Sequence, residues 1–120
     1  MNFSISSSRA LVLGISALMI SGCAHQRQQP LYYWGAYQSQ VYEHFKAEKG
    51  PEEQIAVLEA EVEHANATNK ALPPGFQAHL AMLYGKTGRT DKLVSNLEAE
   101  KRQFPEGSVF MDFLLKKFEK

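Results

Sequence analysis

The chain has 120 residues, 13 Lys+Arg balanced by 13 Asp+Glu, and a mean hydropathy of -0.33, enough material for one modest domain and too little for two independent cores. A net charge of zero without blocks of like charge argues against a nucleic-acid partner. The single cysteine excludes an internal disulfide, so an exported protein of this size would have to use that thiol in another way.

Arg9 precedes an apolar stretch from Ala10 to Ile20, interrupted only by Gly14 and Ser16 and followed by the small residues Ser21 and Gly22. These are the three regions of a secretory signal. As a helix the stretch would span about 16 Å, roughly half of the ~30 Å hydrocarbon core, so removal is expected and not membrane spanning. Ile20-Ser21-Gly22-Cys23 resembles the lipobox of bacterial lipoproteins, where the cysteine sulfur receives a diacylglycerol before cleavage in front of it. The resemblance implies residues 1-22 as signal peptide, Cys23 as the lipid attachment site, and palmitate-type acyl chains as the link to a membrane. Ala24 replaces the aspartate that resembles an inner-membrane retention signal, which points to the outer membrane and its periplasmic face. Loss of Arg9 leaves 12 basic groups against 13 acidic ones, so the mature chain stays near neutrality.

Residues 23-30 comprise Cys23 and a polar leash, Ala24 to Pro30, without helical or alternating apolar pattern. Seven residues reach about 25 Å at most, so the domain at residues 31-120 is expected close to the lipid surface.

Within that domain Leu58-Glu59-Ala60-Glu61 recurs as Leu97-Glu98-Ala99-Glu100, 39 residues on. The same offset pairs Tyr37 with Phe76, Val41 with Leu80, Phe45 with Tyr84 and Ile55 with Val94; a step of 34 then reaches Phe110, Leu114 and Phe118. Such periods belong to helical-hairpin repeats. The i, i+4, i+8 apolar spacing and the Gly and Pro punctuation predict an all-α fold of about five helices. The first runs about Trp34 to Lys49, the second from Pro51 to about Thr68, and Asn69 to Pro74 is a loop. The third runs about Gly75 to Thr87, where Gly88 ends it. Thr90 is expected to cap a fourth reaching about Phe104, and Ser108 to cap a last helix over about Val109 to Phe118.

Counted from Tyr84, with Leu80, Ala81, Gly88, Leu97 and Pro105 in place, the pattern resembles a tetratricopeptide repeat; Leu93 stands where that family has a small residue, and the first unit is about five residues long for it. The resemblance implies ligand contacts on the concave side, at Ser39, Glu43, Lys46, Met82, Lys86, Asp112 and Lys116, whose mixed charge suits a peptide or protein segment. An unused, solvated groove is the alternative. Val109, Phe110, Met111, Phe113, Leu114, Leu115 and Phe118 wrap most of the last helix, and Leu31 to Trp34 form an aromatic cluster at the other end. At least one end is therefore expected to dock on another envelope lipoprotein or on a second copy. The aromatic cluster can equally be core, Met82 and Met111 read as core fillers, and the Glu-rich stretch 59 to 63 as a solvated helix face.

No catalytic constellation is present: there is no Gly-x-Ser-x-Gly, no phosphate-binding glycine loop and no His-Glu-x-x-His. Glu61-Val62-Glu63-His64 holds one Glu-x-x-His, which di-iron bundles use twice with two further carboxylates. No enzyme activity, cofactor or metal is expected, and His44, His64 and His79 read as surface or packing residues.

Leu31-Tyr-Tyr-Trp-Gly-x-Tyr37, Leu72-Pro-Pro-Gly-Phe-x-Ala-His-Leu-x-Met-Leu-Tyr84 and Glu100-Lys-x-x-Phe-Pro-Glu106 with Met111-Asp-Phe-Leu-Leu115 resemble the signature blocks of small proteobacterial lipoproteins of unassigned function, often encoded beside a lipoprotein similar to the curli secretion channel. That resemblance implies an accessory subunit of an outer-membrane secretion or assembly complex. The rival expectation is a structural lipoprotein contacting peptidoglycan.

Overall fold

The computed structural model describes residues 29-118, so Cys23 and the signal-like segment lie outside the described residues. Five α-helices follow one another: α1 (Tyr37–Lys46), α2 (Pro51–Ala67), α3 (Phe76–Lys86), α4 (Thr90–Gln103) and α5 (Ser108–Leu115). A 3-10 turn, Pro105–Gly107, leads into α5, and among the described residues the only extended pairing is the isolated bridge Tyr32↔Ala71. The all-α expectation holds.

Each boundary has a local cause. Pro51 occupies the first turn of α2, where its missing N–H costs nothing, with Glu52 and Glu53 beside it against the positive end of the helix. α2 and α3 end alike. Lys70 N–H donates to Ala65 O at 3.0 Å and Asn69 N–H to Asn66 O at 3.1 Å; after α3, Arg89 N–H donates to Tyr84 O at 2.9 Å and Gly88 N–H to Gly85 O at 3.3 Å. Both are Schellman closures, and their left-handed residues are Asn69 (φ 56) and Gly88 (φ 74). α1 stops at Lys46, short of the expected Lys49, because Ala47 turns left-handed (φ 54) and its N–H returns to Glu43 O. It also begins late, at Tyr37, since Leu31 to Trp34 run extended to pair with the α2-α3 loop. Thr90 and Ser108 are the first residues of their helices and neither side chain caps; Arg89 and Gly107 hold the cap positions without a side-chain bond.

Consecutive helices pack as neighbours, α1 on α2, α2 on α3, α3 on α4 and α4 on α5. The core is Ile55 and Leu58 from α2, Phe76, Leu80, Ala81, Leu83 and Tyr84 from α3, Leu93 and Leu97 from α4, and Met111 and Leu115 from α5. α3 supplies the most because it has packed neighbours on both sides. The positions that sequence comparison set equivalent therefore differ in burial: Phe76 is 0 % and Tyr84 3 % exposed, whereas Phe45 is 82 % and Phe110 58 % exposed. An apolar side chain is buried only where a second element covers it, and α1 and α5 lie at the two ends.

Candidate interaction site

Two carboxylates set the frame. Glu100 on α4 is only 5 % exposed, and its oxygens accept from the N–H groups of Gly75 at 2.5 Å, Gln77 at 3.2 Å and Ala78 at 3.4 Å. A side chain from the next helix thus satisfies the open donors at the start of α3, and its negative charge meets the positive helix end. Glu61 on α2 stands near the start of α1: its carboxylate lies against Gly35, with Oε2 buried and unpartnered, and it raises the Tyr33 pKa. Gly35 (φ 41) and Gly75 (φ 86) both take the left-handed backbone just before α1 and α3. Glu61 is half-buried, against the expectation of a solvated face for residues 59 to 63, whereas Glu63 is exposed as expected. A signal was there: Glu61 and Glu100 follow Leu58 and Leu97 by three residues, and i and i+3 share one helix face.

A second glutamate of the stretch, Glu59, accepts from the Tyr84 hydroxyl and from Lys92 Nζ at 3.0 Å. The Tyr84 bond and then Lys92 hold its carboxyl below the usual range, while burial first and Glu59 second push the Tyr84 phenol up. With Glu63, Asn66, Ser95 and Asn96 these groups rim a polar cleft of 570 Å³ between α2 and α4.

An apolar groove of 370 Å³ runs between α3, α4 and α5, floored by Ala81, Leu93, Leu97 and Leu114 and rimmed by Met82, Lys86, Lys117 and Phe118. Of the residues expected on a binding side, Met82 and Lys86 line this groove and the other five do not. Ser39 is exposed and turns its hydroxyl back onto Ala36 O at 2.7 Å; Lys46 pairs with Glu48 at 2.8 Å and lies over the Tyr42 ring; Glu43 shares their helix. Asp112 is engaged by Lys101 at 2.5 Å, on the α4-α5 contact, and Lys116 is exposed at the end of α5. Met111 is core at 5 % exposure, but Met82 is 44 % exposed and is no filler.

Histidine placement separates three environments. His64 is exposed; His44 is half-buried, its ring edge-on to His79 at 5.1 Å; His79 is buried at 8 % exposure between Tyr37 and His44 with its Nε2 unpartnered. Burial first, then His44 and Lys86, lower the His79 pKa to about 4, so the ring is neutral at physiological pH. Among the described residues no group of three or more His, Cys, Asp or Glu side chains is placed to hold a metal ion, and no helix is long and apolar enough to cross a membrane.

At the chain's aromatic start, Tyr33 N–H donates to Ala71 O at 2.8 Å, Tyr32 packs edge-on to Phe104 at 5.9 Å, and Tyr37 lies against Phe76 at 5.1 Å. This cluster is mostly packing; Leu31 and Trp34 remain 77 % and 41 % exposed. α5 is different. Val109 (82 %), Phe110 (58 %) and Phe113 (54 %) form one outward apolar face, with the two phenyl rings stacked at 6.4 Å.

The signature of a protein family, a domain of unknown function designated DUF4810, covers residues 31–114. The chain belongs to the DUF4810 family. The family match therefore takes in the bridge-forming segment at Tyr32, Glu61, the capping Glu100 and all of α5 but its last residue. No curated protein and no solved structure matches this DUF4810 chain.

Proposed function

We propose that this DUF4810 protein is a lipid-anchored, non-enzymatic interaction module, held by acyl chains on Cys23 at the periplasmic face of the outer membrane. In this reading the helices act as a short tetratricopeptide-like stack and the protein serves as an accessory subunit of an envelope secretion or assembly complex. The observation that carries the interaction role is the outer face of α5, where Val109, Phe110 and Phe113 stay exposed on a helix whose opposite face, Met111 and Leu115, is core. Leaving that much apolar side chain in water is unfavourable by roughly 25 cal/mol per Å², which a partner surface would recover. The lipobox-like Ile20 to Cys23 and the short polar leash support attachment near a bilayer.

Labelled palmitate and membrane fractionation test the anchor: the wild-type chain is expected to take up label and sediment with outer membranes, and Cys23→Ser to do neither. Mild crosslinking in cells tests the module, with a specific adduct expected for the wild type and lost in Phe110→Glu. Retention by purified peptidoglycan in place of any protein adduct would favour a structural cell-wall role and overturn the module.

A further inference from the structure

The face that α5 turns outward has a pattern along its length as well as apolar character. Glu106, Phe110, Phe113 and Lys117 are spaced four, three and four residues apart: Phe110 and Phe113 share one side of α5, Glu106 lies in the 3-10 turn before it and Lys117 just past its end, and the four make one stripe along the chain. The geometry agrees. Phe110 and Phe113 stack, Lys117 Nζ lies over the Phe113 ring at 4.5 Å, and Glu106 sits in the 3-10 turn Pro105–Gly107 that runs directly into Ser108. Glu106 and Lys117 are both exposed.

Read from either end the stripe is charge, aromatic, aromatic, opposite charge. Such a sequence complements itself only when two copies run antiparallel. With a two-fold axis midway between Phe110 and Phe113, each Phe110 meets the other copy's Phe113, and each Glu106 meets the other copy's Lys117. A parallel pair would set glutamate on glutamate and lysine on lysine. The helix ends favour the same choice, since antiparallel neighbours place each positive N-terminus beside a negative C-terminus. Two-fold pairing is also closed, so it gives a dimer and not a filament.

We infer that the outer face of α5 is a homodimer interface in which two copies of this chain pack antiparallel through Phe110 and Phe113, with Glu106 and Lys117 fixing the register. This rests on reading the α5 face as the module's contact surface and makes that partner a second copy. One short helix pair buries less than the ~1,600 Å² of a standard interface, so the pairing is of modest affinity in bulk solution. Confinement to a bilayer raises the effective concentration and populates it.

Sedimentation equilibrium of the purified full chain in density-matched non-ionic detergent decides the matter. The wild type is expected to dimerise in the micromolar range. Phe113→Glu should weaken association at least tenfold, Glu106→Lys or Lys117→Glu alone about threefold or more, and Glu106→Lys with Lys117→Glu together should return within about twofold of wild type. Circular dichroism checks folding; should Phe113→Glu fail to fold, the two exposed charge reversals still decide. A monomer throughout the range, or a double reversal no better than the single ones, overturns the dimer. A monomer that still crosslinks to another protein through Phe110 overturns it while the interaction module survives, and a Cys23→Ser chain that stays with membranes overturns the anchor while leaving the dimer in place.

Discussion

The carboxylate of Glu100 closes the N-terminus of α3 from the neighbouring helix, its Oε1 2.5 Å from the Gly75 N–H. Helices usually take this bond from their own cap residue, yet here the cap is glycine and has no side chain to offer. Capping and interhelix packing are thereby one interaction. Glu100→Ala is expected to cost about 2 kcal/mol, the scale of a lost cap plus donors left open in a buried site, and Glu100→Gln less because one amide oxygen still accepts. Urea denaturation of both variants measures it, and a wild-type midpoint for Glu100→Ala would contradict the assignment.

At the equivalent glutamate the backbone comes close. A Cβ on Gly35 would collide with the Glu61 carboxylate and stand 2.8 Å from the Tyr33 ring, at a φ of 41 that side chains disfavour. Gly35→Ala should therefore destabilise by about 2 kcal/mol. Gly107→Ala is the control, with nothing within 4 Å of the added carbon and φ at -88, and should change the midpoint by less than about 0.5 kcal/mol.

His79 makes folding pH-dependent. Its folded pKa of about 4 lies below the ordinary histidine value of 6.5, so the unfolded chain binds the proton more readily. The stabilisation is complete above pH 6.5, falls as pH drops, and is fully lost near pH 4, a loss of about 3 kcal/mol across that window. Lys86 and His44 face the same ring and oppose its charging, while the Tyr37 hydroxyl is neutral throughout. Thermal melts between pH 7 and 4 should show His79→Leu losing markedly less stability than wild type; equal slopes would refute the assignment.

The bond from Tyr84 to Glu59 joins α3 to α2, and Lys92 adds α4. Tyr84→Phe keeps the ring in the core and removes only the hydroxyl, so about 1 to 2 kcal/mol should be lost, as for other hydrogen bonds to a charged group. Lys92→Met should cost well under 1 kcal/mol because that pair is half exposed. A double-mutant cycle over Glu59 and Tyr84 reads the coupling directly.

Helix order, number and most boundaries can be read from spacing and punctuation, because Pro51, Gly88 and Pro105 act locally on the backbone. Burial is not local. The equivalence of Phe45, Tyr84 and Phe118 along the chain is plain, but whether each is covered depends on neighbours on both sides, which α3 has and the terminal helices lack. Ala47 turning left-handed carries no glycine or asparagine flag, so the early end of α1 was hidden. For the candidate site the limits are similar. The apolar surplus of α5 is visible in its composition, whereas the roles of Glu61 and Glu100 need the facing N-terminus to be known. Among the residues expected on the concave side, Lys46 and Asp112 pair with Glu48 and Lys101, partners that the repeat spacing does not reveal.

The parallel bridge between Tyr32 and Ala71 has a mechanical consequence. A pull on the chain ahead of Leu31 reaches the loop joining α2 to α3 before it reaches α1, since Tyr33 N–H is fastened to Ala71 O at 2.8 Å and Tyr32 leans on Phe104. Load entering from a leash would be taken up at the loop between α2 and α3, and the lightly buried first helix would be spared from being peeled away.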